Sequence, residues 1–119
     1  MLKVVIALVI LALIIKLIRE FELLVVTGDS MYPTLKDGEI VLLHKTQDVQ
    51  VDDIIIVTDS TISDKTIIKR VLSITKIGGQ KRYWIEGDNK EVSYDSRKFG
   101  YIKQDVIEGK IIRWKKTEK

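Results

Sequence analysis

The chain opens on an unbroken apolar run, Val4 to Ile15, which Lys16 interrupts and Leu17–Ile18 extend. Read as a helix, Leu2 to Ile18 is about 26 Å long at about 1.5 Å per residue, short but sufficient for a thin hydrocarbon layer. Lys3 and Lys16 are placed to snorkel from its two ends. Three readings compete for this segment: a membrane anchor, a cleaved signal peptide and a buried core helix. The charged stretch after Ile18 lacks a small-x-small site, which argues against cleavage. Orientation stays open, because Lys3 argues for an inside N-terminus and Lys16 with Arg19 for the reverse. From Phe21 onward the pattern changes to short β-branched runs: 23–26, 39–43, 53–57, 66–74, 82–86 and 106–114. Turn residues separate them, among them Gly28-Asp29, Asp37-Gly38, Asp59-Ser60, Gly78-Gly79 and Gly87-Asp88-Asn89. The pattern predicts a mostly β fold. Residues 1–20 form an anchor helix and residues 21–119 a small antiparallel β domain. Met31–Leu35 reads as an irregular loop around Pro33, and Trp114–Lys119 as a polar tail.

Composition narrows the chemistry. At 119 residues there is room for one compact domain. The absence of cysteine excludes a disulfide scaffold, a cysteine nucleophile and thiolate metal sites. One histidine, His44, makes a histidine metal cluster untenable, and no metal or cofactor is expected. The net charge is +3, of which residues 1–20 hold +2. The other 99 residues carry 17 basic and 16 acidic side chains. That balance leaves no basic stripe for nucleic acid.

Three segments carry candidate chemistry. In Val26–Leu35 a strand enters a Gly-Asp-Ser turn, which can expose Ser30 and its own N–H together, as a nucleophile and an oxyanion donor require. The plainer reading is a turn serine serving local backbone groups. In Thr66–Ile74, strand alternation puts Ile67, Lys69, Val71 and Ser73 on one face. Apolar neighbours lower a lysine's pKa, as a general base needs; the plainer reading is an edge-strand lysine that opposes aggregation. Gly87–Gly100 is rich in groups that bond to one another: Asp95 and Arg97 are placed to pair, and Asp88 to reach Arg70. Otherwise it is a long polar surface loop.

Together, GDSMYPTL, IIKRV and GDNKEVSYDSRKFG, in that order behind an apolar segment, resemble the signature boxes of type I signal peptidases. DGEIVLLHK and VDDIIIVT resemble that family's connecting strands. The resemblance runs from about Arg19 to Tyr101 and is closest to the minimal forms found in Gram-positive bacteria. It implies a membrane-anchored serine endopeptidase with a Ser-Lys dyad that removes signal peptides from exported preproteins. By position in the boxes, Ser30 takes the nucleophile's place, Lys69 the general base's, and Ser93 that of the serine positioning the lysine. Arg70, Asp88, Asp95 and Arg97 match polar residues that brace the site. Gly28 stands where some members have a serine that adds a second oxyanion donor. Two features depart from the pattern. Lys90 stands where arginine is usual, and VLSITKIGG follows Lys69-Arg70 in place of a Gly-Leu-Pro-Gly-Asp segment.

The expected partners are therefore secretory preproteins and a lipid bilayer. The expected location is a cell membrane, crossed once, with the catalytic domain on the extracytoplasmic face. The strand Leu23–Thr27 is expected to present a free edge to an extended substrate. Val25, Val26 and Met31 would line pockets that select small residues one and three before the cut. His44 matches no box and reads as a strand-end histidine. Two alternatives compete with this reading: a self-cleaving repressor-type peptidase, which would require a DNA-binding domain and an internal cleavage site where this chain has an apolar segment, and a non-catalytic membrane-anchored homologue serving as a scaffold.

Overall fold

The protein is described here from a computed structural model, which covers residues 1–112. A helix, α1 (Leu2–Glu20), passes without a loop into β1 (Phe21–Val25). Then follow β2 (Ile40–His44), β3 (Ile54–Val57), β4 (Ile67–Ile77), β5 (Gln80–Glu86), the short α2 (Ser96–Phe99), β6 (Ile102–Lys103) and β7 (Ile107–Ile112). All neighbouring strands are antiparallel, in one sheet of order β1-β2-β7-β3-β4-β5-β6 that curves into a half-barrel. β7 enters between β2 and β3, so the last strand joins the two halves of the sheet. β1 and β6 are the two edges.

The expected mostly β antiparallel domain behind an N-terminal helix is what the chain forms, but the helix expected to cross a membrane does not qualify as a span. The other differences are local. β4 runs three residues further than its hydrophobic pattern suggested and forms a hairpin with β5 through Gly78-Gly79, whose φ angles of 61° and 81° suit only glycine without strain. A bulge at Leu72 shifts the β4–β5 register, pairing Val71 with Ile85 but Ser73 with Trp84. Ser73, expected on the face of Lys69, is therefore exposed, and Ile74 packs against the core instead. The predicted tail from Trp114 lies outside the described residues.

Two apolar clusters hold the sheet. One gathers Ile55, Val57, Val71, Tyr83, Ile85 and Ile107, with Val49 from a loop. The other gathers Val26, Met31, Leu35 and Val41, thereby anchoring the loop that carries Ser30. α1 contributes to neither. None of its residues is buried, and it is apolar on every side. No helix among the described residues is long and apolar enough to cross a membrane; in α1 the apolar stretch is bounded by Lys3 at one end and by Lys16 and Arg19 at the other.

Ile55 is fully buried at the centre of the first cluster. Ile55→Ala should lower stability by about 2–5 kcal/mol, measured by urea unfolding followed through tryptophan fluorescence.

Candidate active site

Ser30 sits at the end of a turn that its sequence sets up. Gly28 takes φ 89°, and its N–H donates to Asp37 Oδ1 at 2.7 Å. Tyr32 N–H closes onto the Asp29 carbonyl at 3.1 Å, and the buried Met31 pins the turn to the second cluster. Ser30 itself is half-buried. Among the described residues, neither its hydroxyl nor its amide N–H has a hydrogen-bond partner. Its carbonyl accepts from Asn89 N–H at 2.9 Å, and Asn89 Nδ2 donates to the Asp29 carbonyl at 3.1 Å. The Gly87–Asn89 turn is thereby laced to the serine turn.

Lys69 lies on β4 opposite Ile55 and is only 4% exposed. Among the described residues no group hydrogen-bonds to its Nζ. Its pKa is lowered from the ordinary lysine value chiefly by burial; Asp95 opposes the shift and Arg97 adds to it. Arg70 faces away: Nε and Nη2 grip Asp88 Oδ1 and Oδ2 at 2.9 and 2.8 Å, and Nη1 donates to the Asp52 carbonyl. Asp88 also accepts from Thr34 Oγ1, and its N–H points at Met31 Sδ. Hydrogen bonds from Arg70 first, then Thr34, hold the Asp88 carboxyl below its usual range against the effect of burial.

Asp95 is a second hub. Fully buried, it accepts from Arg97 Nε, from the Ser93 hydroxyl at 2.7 Å and from Gly87 N–H at 2.9 Å. It also caps α2 through Arg97 N–H. Burial alone would raise its pKa. The bonds from Arg97, Ser93 and Gly87 outweigh burial and hold the carboxyl far below the usual range. Ser93, matched to a lysine-positioning role, thus donates to Asp95 and accepts from Gly87, and makes no hydrogen bond to Lys69. Gly87 is where the parts meet: a methyl at its Cα would collide with Ser93 Oγ and the Ser30 carbonyl.

A cleft of about 740 Å³ brings five of the predicted residues together; Arg70, Asp88, Ser93, Asp95 and Arg97 do not line it. Ser30 and Lys69 both line it, beside Val25, Val26 and Met31. No hydrogen bond joins Ser30 to Lys69. Val26 and Met31 are core residues at the cleft floor, whereas Val25 is 62% exposed at the rim. β1 has one open side. Val26 N–H bonds to Glu39 and Lys45 N–H to the Glu20 carbonyl, so even-numbered residues face β2. By antiparallel alternation Phe21, Leu23 and Val25 direct their backbone groups to the open edge. His44 is at a strand end, its ring stacked on Phe21 at 4.8 Å. Sequence reasoning missed Glu86, which accepts from Lys90 Nζ at 2.8 Å and Trp84 Nε1 at 2.7 Å and lies 3.9 Å from Arg97. No local pattern pointed to it, since its partners come from β5, from the turn after it and from α2.

The sequence profile described as signal peptidase, peptidase S26, matches residues 1–81 and 73–114. The chain belongs to this family. Among curated relatives it is 34% identical over 122 residues to mitochondrial inner membrane protease subunit 2 of Danio rerio, covering 78% of this chain and 67% of that protein. It is 28% identical to mitochondrial ATP-independent inner membrane protease subunit 1a of Arabidopsis thaliana, covering 73% and 66%. It is also 28% identical to subunit 1 of the Schizosaccharomyces pombe protease, covering 77% and 71%. The chain spans about two thirds of the length of these S26 relatives.

Two outcomes test this geometry. Gly87→Ala should cost about 1–3 kcal/mol of stability through overpacking, and the Ser30 carbonyl should lose its bond to Asn89, seen as faster amide exchange at Asn89. A carboxyl whose pKa is depressed by folding stabilises the protein above its unfolded value of about 3.9 and loses that contribution as pH falls. Asp88→Asn should therefore flatten the decline of thermal midpoint between about pH 5 and pH 3; an unchanged decline would place the acid sensitivity elsewhere.

Proposed function

We propose that this protein is a membrane-seated serine endopeptidase that removes signal peptides after small-x-small sites. Ser30 is the nucleophile and Lys69 the general base. The observation that carries this reading is a buried lysine with no acid bonded to it, lining one cleft with a serine whose hydroxyl and N–H are both unengaged. A lysine in that setting releases its proton more readily than a solvated one. It can then take the proton of Ser30 Oγ as the oxygen attacks a scissile carbonyl. The Ser30 N–H is placed to donate to the oxyanion that forms. Ser93, through Asp95, keeps the wall behind Lys69 in position, and Arg70–Asp88 and Asp95–Arg97 brace the turns.

Residues 1–20 serve as the anchor and residues 21–119 as the catalytic domain. An exposed helix that is apolar all round is stable only when something covers it, and a bilayer with Lys3 and Lys16 snorkelling does so. The cleft then stands close to an extracytoplasmic membrane surface. The substrate joins the open edge of β1 as an added strand, with its small side chains directed at Val25, Val26 and Met31. The names of the mitochondrial inner membrane relatives agree with membrane seating. A non-catalytic scaffold is the competing reading.

Ser30→Ala should abolish cleavage of a signal-peptide substrate without changing the thermal midpoint. Lys69→Arg should also fail, because guanidinium stays protonated. For the wild type, kcat/KM should rise with pH as the amine is deprotonated, with its midpoint below the ordinary lysine value. Full activity of Lys69→Arg with a flat pH profile would sink the base assignment, and no cleavage by the wild type would favour the scaffold.

A further inference from the structure

From Thr66 to Ile85 the chain contains no acidic residue but five basic ones. Two of these, Lys69 and Arg70, belong to the site. The other three lie on the hairpin arm of β4 and β5, and the register sets like charges directly against each other. Lys76 pairs with Lys81, and Arg82 pairs with Lys103 of β6. Such cross-strand pairs repel. Because Lys81 and Arg82 are adjacent on one strand, the two pairs lie on opposite faces, so the arm is basic all round. Among the described residues no carboxylate stands within 4 Å of any of the four cations. Among the described residues the Arg82 guanidinium bonds only to Gln80 and the Lys81 carbonyl.

The arm also has a defined direction. In the order β1-β2-β7-β3-β4 each step is antiparallel, so β1, β7 and β4 run the same way. α1 enters at the start of β1, and the hairpin tip is at the end of β4. The tip therefore points away from the end of the sheet that α1 enters. Ile77 is eight positions beyond Lys69, about 26 Å along the strand at about 3.3 Å per residue.

We propose that this arm is a docking surface for an acidic segment of the substrate's mature region, about five to ten residues beyond the cut. The inference rests on the peptidase reading above and narrows its substrate class. A preprotein whose apolar signal remains in the bilayer at the α1 end must lead its mature part away from the membrane, toward the side where the arm projects. Anionic side chains there relieve the repulsion of the Lys76–Lys81 and Arg82–Lys103 pairs, and the field of the arm raises their capture rate.

The test uses three peptides with the same cleavage site: one ending two residues after the cut, one extended by a neutral segment and one extended by a segment with three aspartates. The full chain is compared with a Lys76→Glu/Arg82→Glu variant, in which each repelling pair becomes an attracting one, so the thermal midpoint should hold or rise. For the wild type, kcat/KM for the acidic extension should exceed that for the neutral one by roughly threefold or more at low salt, and the gap should close at high salt. The variant should lose the gap while cutting the short peptide at the wild-type rate. An equal rate on both extensions by the wild type would overturn the arm's role with the peptidase reading intact. Failure to cut even the short peptide would overturn the peptidase reading and the arm's role with it.

Discussion

The geometry of the cleft depends on the two-pronged grip of Arg70 on Asp88. Arg70 is the residue after Lys69, so on a strand the two side chains leave in opposite directions. One reaches the cleft and the other clamps the turn on the far side. Through Thr34, Met31 and the Asn89 N–H, that turn holds the loop that ends in Ser30. A displacement of β4 by one residue would exchange the two roles and lose both. The fork is partly buried, its partners 25% and 18% exposed, and bidentate pairing adds directionality that a lysine in place of Arg70 would not supply. What the clamp contributes is therefore register more than net stability.

Asp95 solves the complementary problem. An unpartnered buried carboxylate near Lys69 would hold the ammonium protonated. Here its oxygens are occupied by Arg97, Ser93 and Gly87, and the Arg97 charge offsets its field at Lys69. Burial is then free to dominate the lysine. Ser93 hydrogen-bonds to Asp95 and not to Lys69, so its effect at the lysine runs through the carboxylate: one proton donor to Asp95 fewer would leave more negative potential at the amine.

The strands and turns were legible because each carries its own local signal: β-branched runs broken by glycine and aspartate. The pairs Asp88–Arg70 and Asp95–Arg97 were legible because opposite charges stood within reach of a turn. The bulge at Leu72 was not, since nothing in VLSIT distinguishes a regular strand from one that gains a residue; the register is decided by how Val71 and Ile74 both find the core. Nor was the insertion of β7 between β2 and β3, which depends on pairings fifty or more residues apart. α2 and β6 are too short to show a period. Glu86 escaped because its partners, Lys90, Trp84 and Arg97, converge from three elements.

The two edges of the sheet are managed in opposite ways. An unpaired edge invites association, and proteins blunt it with short strands and charge. β6 has both: two residues, with Lys103 facing Arg82. β1 has five residues with Leu23 and Val25 exposed at 63% and 62%, and its ion pair among the described residues, Glu22 with Lys45, is a loose 3.5 Å contact worth little at such exposure. In open water that edge would be a hazard. Beside an apolar helix that itself requires cover, the bilayer surface of the proposed function would remedy both. On the proposed peptidase reading, an edge left unguarded where the chain leads into Ser30 is what strand addition by a substrate would need, whereas a closed barrel would have protected the protein and denied the cleft any backbone to offer.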